Sequence, residues 1–191
     1  MSYKRAPYLR TWHNYEEAMS EAGSKPGPWV DHIATLCRQH RIGLSFTAPG
    51  KEIAHIWKWD QPTDKRRPKR GRIEIAPITN ANAYGAALHE IAHVVLEHNA
   101  QGTTTLQNES EAWQWAKQNA REWTPQMSAD AWHAFSSYAA NPHFPVDEGG
   151  RDAEHGSDGV ERNRLAAKTA MALGVEFKGL AWQPPKSEAA E

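Results

Sequence analysis

The sequence predicts an α+β domain in which a small, mostly antiparallel three-stranded sheet packs on a helical bundle. Three short segments with strand character lie between residues 42 and 77, and segments with helical spacing of apolar residues come before and after them. A chain of 191 residues with 39% hydrophobic and 24% charged residues has room for one such domain with a substantial core.

The elements are assigned from periodicity, turn residues and caps. Helices are expected where apolar residues recur every three or four positions, or where a cap precedes a proline in the first turn: 14–22, 29–40, 80–98, 108–123, 125–140 and 160–173. Strands are expected at 42–47, 53–59 and 72–77, and the last of these alternates polar and apolar residues. We therefore expect an N-terminal extension at 1–28, a single domain at 29–175 and a flexible polar tail at 176–191.

Composition narrows the class of protein. The formal net charge of −1 gives no global electrostatic reason to bind nucleic acid or a membrane. A single cysteine, Cys37, rules out an internal disulfide and suits a reducing compartment. Residues 1–10 contain no apolar run of the kind found in signal peptides, and no stretch approaches membrane-spanning length. We therefore expect a cytoplasmic protein that contacts no membrane, and nucleic acid is not an expected partner on the basis of charge.

The most informative segment runs from His89 to His93 and reads His-Glu-Ile-Ala-His. Side chains four apart on a helix share one face, so both imidazoles can reach one metal ion, and Glu90 can act as a general base beside it. An inert cluster on a surface helix is the alternative. The apolar flanks (Leu88, Ile91, Val94 and Val95) disfavour that alternative because they predict a buried helix. Burial of these polar groups without a partner would cost several kcal/mol.

A catalytic zinc site needs three protein ligands and an open position. The next helix offers two candidates for the third ligand, Glu109 and Glu111. Both flank the apolar face formed by Ala112, Trp115 and Ala116, so spacing alone does not choose between them.

Together the two segments resemble the ImmA/IrrE-type metallopeptidases. These small gluzincins combine His-Glu-x-x-His with a following helix that reads Glu-x-x-Ala, and the resemblance covers about residues 30–125. It implies a zincin-like fold, Zn²⁺ held by His89, His93 and Glu109, and hydrolysis of a peptide bond with Glu90 as the base. It also implies a protein or peptide substrate, such as a transcriptional repressor, in the setting of a phage or another mobile element. One departure is Trp113, which occupies a position where relatives usually carry an acidic or amide residue.

Other residues near the motif carry weaker expectations. His98 follows His93 by five residues with no glycine between them, so we expect it to end the helix rather than bind metal. His133 and Tyr138 are candidates to stabilise a developing oxyanion. The strand at 72–77 is expected to form a sheet edge along which an extended peptide lies.

Two rival functions remain at this stage. One is an inactive zincin scaffold that binds metal and acts by association as a regulator or anti-defence factor of a mobile element, which Trp113 motivates. The other is nucleic-acid binding through the basic run at 65–72 with Trp57 and Trp59. Pro68 and Gly71 instead favour a solvated loop for that run.

Overall fold

Six helices and three strands make up the described part of the chain. The computed structural model describes residues 14–56, 71–98, 104–141, 143–147 and 158–180. In chain order the elements are α1 (Tyr15–Glu21), α2 (Pro28–His40), β1 (Ile42–Phe46), β2 (Ile53–Ile56), β3 (Gly71–Ile75), α3 (Ala81–Val95), α4 (Leu106–Asn119), α5 (Pro125–Ala140) and α6 (Asp158–Leu173). The α+β class and the order of these elements agree with the sequence-based prediction, but α3 ends three residues before its expected end at residue 98.

The three strands form a mixed sheet with the order β1-β3-β2. β3 pairs in parallel with β1, with Leu44 opposite Ile73, and antiparallel with β2, with Ala54 opposite Ile73. One of the two pairings is therefore parallel, where a mostly antiparallel sheet was expected. Alternating residues predict which face of a strand is buried, but they do not specify the order in which strands pair.

The central position of β3 corrects one expectation about substrate binding. β3 was expected to be the edge along which a peptide lies, but both of its sides are already paired. The β3 side chains of Ile73 and Ile75 are also fully buried, so they are not open to a bound peptide. Within the described residues β1 and β2 are the edges of the sheet, so an added strand would have to join one of them.

α3 is the central helix of the domain. Asn80 begins it by accepting a hydrogen bond from the Ala83 amide at 2.9 Å, as expected for an N-cap. The helix packs against β2, β3, α2, α4 and α5, and ten of its fifteen residues are buried. It therefore places polar side chains inside the core.

No helix among the described residues has the length and apolar character needed to cross a membrane.

α4 differs from its predicted bounds at both ends. The Thr105 side chain caps it, so it begins at Leu106, two residues before the expected start. It ends at Asn119, and Trp123 lies in the connection to α5 instead of continuing the apolar face. Pro125 opens α5, and a proline disfavours helical backbone in the residue before it. The proline accounts for the extended backbone of Thr124, and the helix itself ends earlier, at its C-cap Ala120, whose backbone is also extended.

The region before α2 contributes to the core. Tyr15 and Met19 of α1 are buried, and the Tyr15 hydroxyl donates to the Ile42 carbonyl at 2.6 Å.

Several predictions fall on residues outside the described ranges: the segment 1–13, the end of the second strand with Trp57 and Trp59, the basic run as far as Arg70, and the tail from residue 181.

Candidate metal centre

His89 and His93 lie one turn apart on the buried side of α3. Their Nε2 atoms are 3.0 Å apart and their rings meet edge to face. Both side chains are buried, with exposures of 7% and 4%. The helical spacing read from the sequence therefore brings the two imidazole nitrogens to one point inside the core.

Glu109 of α4 completes the cluster. Its Oε2 lies 3.2 Å from His89 Nε2, and its Oε1 lies 3.4 Å from His93 Nε2. Ligand atoms held at about 2.0–2.1 Å around a tetrahedral zinc are about 3.3 Å from each other. The nitrogen–nitrogen separation of 3.0 Å is close to this value, and so are the nitrogen–oxygen separations of 3.2 and 3.4 Å, which involve the two different oxygens of the Glu109 carboxylate. The buried cluster can thus hold a metal ion.

The charge of Glu109 is stabilised by its two neighbours. Burial alone would raise the pKa of the Glu109 carboxyl, but the charges and hydrogen bonds of His89 and His93 outweigh burial and hold that pKa well below its usual range. The carboxylate is therefore anionic throughout the neutral range. An anionic oxygen beside two imidazole nitrogens is a donor set typical of zinc.

Glu90 has the opposite electrostatic environment. Burial, together with the negative charges of Glu109 and Glu52, raises the pKa of Glu90 to about 7, and His93 opposes this only in part. A carboxyl that titrates near neutral pH can both accept and return a proton under working conditions. Glu52 was not singled out from the sequence. It precedes β2, and only the pairing of β2 beside α3 brings it near Glu90.

His98 is buried next to His93 and does not belong to the helix. Its Nδ1 lies 3.1 Å from His93 Nδ1, and its Nε2 lies 3.2 Å from Glu111 Oε2. Burial, followed by the nearby His93, lowers the pKa of His98. Glu111, the rival candidate for third ligand, therefore contacts His98, whereas Glu109 contacts the two motif histidines.

Trp113 packs on His89. The two rings are stacked, with centroids 4.0 Å apart and an interplanar angle of 27°. Within the described ranges, His89 Nδ1 and Trp113 Nε1 are both buried without a hydrogen-bond partner. Trp113 therefore holds His89 by stacking and not by a hydrogen bond.

Of the two candidates on α5, Tyr138 is the one whose pKa is affected by the carboxylates of the cluster. Burial, followed by the negative charges of Glu109 and Glu90, raises the pKa of Tyr138. Its ring contacts Phe144 and its side chain is partly open to solvent. His133 is exposed.

No protein-family profile, curated protein or solved structure matches this chain. The assignment of a function therefore depends on the residues of the cluster and on their geometry.

Proposed function

We propose that the chain is a zinc-dependent endopeptidase of the ImmA/IrrE type with a zincin-like fold. The observation that carries the proposal is the convergence of the His89 and His93 imidazoles and the Glu109 carboxylate in one buried cluster, with the buried carboxyl of Glu90 beside them. Burying four ionisable groups together is unfavourable unless they compensate one another or a cation is bound among them.

The proposed roles follow from chemistry. His89, His93 and Glu109 would hold the zinc, which supplies a Lewis acid for water and for the scissile carbonyl. Glu90 would take the proton of the attacking water and deliver it to the leaving amine, a task that suits its pKa of about 7. The Tyr138 hydroxyl remains protonated at neutral pH and would donate a hydrogen bond to the developing oxyanion.

We also propose that an extended segment of a partner protein pairs with β2. Among the described strands β2 pairs with β3 alone, and it packs against α3. The influence of Glu52 on Glu90 indicates that the start of β2 lies near the cluster. Backbone pairing at this edge would align a peptide without a strict sequence requirement. A repressor-like regulatory protein in the cytoplasm remains the predicted substrate.

The test separates metal binding from turnover. Purified native protein, Glu90→Gln and His89→Ala are compared for zinc content. Each is then incubated with a cell lysate, and new protein N-termini are labelled and identified by mass spectrometry. We expect one zinc per chain and new N-termini with the native protein, zinc without new N-termini for Glu90→Gln, and neither for His89→Ala. Native protein without zinc, or cleavage that persists in Glu90→Gln, would refute the proposal.

A second candidate function has its own supporting observation. The unpartnered His89 Nδ1 and Trp113 Nε1 favour a zincin scaffold that keeps its metal but acts by association, as a regulator or anti-defence factor. Stoichiometric zinc, no new N-termini with the native protein, and a partner retained equally by native protein and Glu90→Gln would support this function over hydrolysis.

A further inference from the structure

The end of α3 turns the chain back towards the metal cluster. The His98 amide donates to the His93 carbonyl at 2.9 Å, and the Glu97 amide donates to the Val94 carbonyl at 3.4 Å. Glu97 adopts a left-handed conformation, with φ of 59°. These features define a Schellman motif, which usually has glycine at the position of Glu97. The turn forms without glycine, and it places His98 beside the ring of His93.

If His93 binds a metal through Nε2, the contacts of His93 and His98 have a single consistent set of proton positions. A metal-bound Nε2 carries no proton, so His93 Nδ1 must be the protonated nitrogen and donate to His98 Nδ1. His98 then carries its proton on Nε2, which donates to Glu111 Oε2. If His98 Nδ1 donated instead, His93 would be protonated on Nε2 and could not bind a metal.

The far end of this chain of contacts is anchored on α4. The Gln107 side chain donates to Glu111 Oε1 at 2.9 Å, one helical turn away. His98 is buried, whereas Glu111 is 39% exposed. A carboxylate at the surface of α4 is thus connected, through one buried imidazole, to the metal-facing imidazole of α3.

The other histidine of the cluster has no comparable support. In the described part of the chain, His89 Nδ1 has no hydrogen-bond partner and its ring stacks on Trp113. The orientation and basicity of the two imidazoles are therefore controlled differently. Of the two, it is His93 that has hydrogen-bonding partners behind it, namely His98 and then Glu111.

We infer that His98 and Glu111 are positioning residues for the metal site: His98 fixes the tautomer and orientation of His93, and Glu111 fixes those of His98. The inference deepens the proposed function, since it takes His89, His93 and Glu109 as the metal ligands. Removing the outer partner of a metal-bound histidine typically weakens metal affinity by about 10–100-fold.

The test measures zinc affinity of the full chain by competition with a chromophoric chelator, for native protein, His98→Ala, His98→Gln and Glu111→Ala. His143→Ala is the matched control, since this histidine is exposed. We expect His98→Ala to weaken binding by about 10–100-fold and Glu111→Ala by a smaller factor. His98→Gln should recover most of the affinity, because its amide can accept from His93 and donate to Glu111. His143→Ala should bind as the native protein does.

Cobalt spectra distinguish a positioning role from direct ligation of the metal. His98→Ala loaded with Co²⁺ should keep the intense visible band of four-coordinate cobalt, because the direct ligands are unchanged. Loss of that band would make His98 a ligand and overturn the inference. Native affinity in His98→Ala, or an equal loss in His98→Gln, would also overturn it. If His98→Ala does not fold, Glu111→Ala decides, and native affinity there refutes the inference. Native protein that binds no zinc would instead refute the proposed function.

Discussion

Replacement of Glu90 by glutamine should make the metal-free protein more stable at neutral and alkaline pH. The carboxyl is buried, and its pKa is raised from the ordinary value of 4.5 to about 7. Between these two pH values the unfolded chain has released the proton and the folded chain still holds it. Stability is therefore full below about pH 4.5 and is lost as pH rises to about 7.

The size of the effect follows from the same two values. A tenfold change in proton affinity corresponds to about 1.4 kcal/mol, so the rise from 4.5 to about 7 corresponds to about 3 kcal/mol lost by pH 8. Glutamine has no charge to bury and avoids this loss. For a chain of this size, about 3 kcal/mol raises Tm by roughly 6–12 °C.

Urea denaturation in EDTA, followed by tryptophan fluorescence, measures the effect at pH 4, 6 and 8. The stability of Glu90→Gln relative to native protein should rise by about 3 kcal/mol between pH 4 and pH 8. Glu21→Gln, which neutralises an exposed carboxylate, should show a difference within about 0.5 kcal/mol throughout. A relative stability of Glu90→Gln that does not change with pH would refute the electrostatic reasoning.

Three further predictions concern the scaffold. Gly71→Ala should lower stability by at least about 2 kcal/mol in urea denaturation, because its Cβ would stand 2.3 Å from the His55 carbonyl oxygen. Gly85→Ala, which meets only the flexible Met127 Cε at 3.2 Å, is the matched comparison, and an equal loss would contradict this reasoning. Burial raises the pKa of the Cys37 thiol to about 12, so Ellman's reagent should react at pH 8 only after unfolding; rapid reaction of native protein would contradict its burial. Glu97→Gly should raise the free energy of unfolding by about 0.5–1 kcal/mol, and Tm with it, because glycine adopts the left-handed conformation of this residue without strain. A lower Tm would contradict a left-handed conformation at residue 97.

The local elements were predictable because their signals are local. Asn80 and Thr124 begin helices through side-chain caps, and the apolar flanks of His89 and His93 correctly indicated a buried helix. The order of the strands was not predictable. It depends on which strand buries both of its edges, and the alternation at Ile73 and Ile75 is compatible with either a central or an edge position.

The candidate metal centre was likewise predictable only in part. Helical spacing sufficed to bring His89 and His93 together, but it left Glu109 and Glu111 equivalent, since both flank one face of α4. The structure separates them by what lies opposite: the two motif histidines face Glu109, and His98 faces Glu111. His98 was set aside because no glycine precedes it. The missing signal was that Glu97 can adopt a left-handed conformation, at a cost of about 1 kcal/mol.

The electrostatics of the cluster also explain why one carboxylate suits the ligand role and the other suits proton transfer. Glu109 is anionic because two imidazoles face it, so it offers a charged oxygen over the whole neutral range. Glu90 lies nearby without comparable compensation, and Glu109 itself adds to the rise of its pKa. The proposed ligand thus helps to raise the pKa of the proposed base. Because both residues are glutamates, their opposite pKa shifts come from the groups that surround each carboxyl and not from its chemical type.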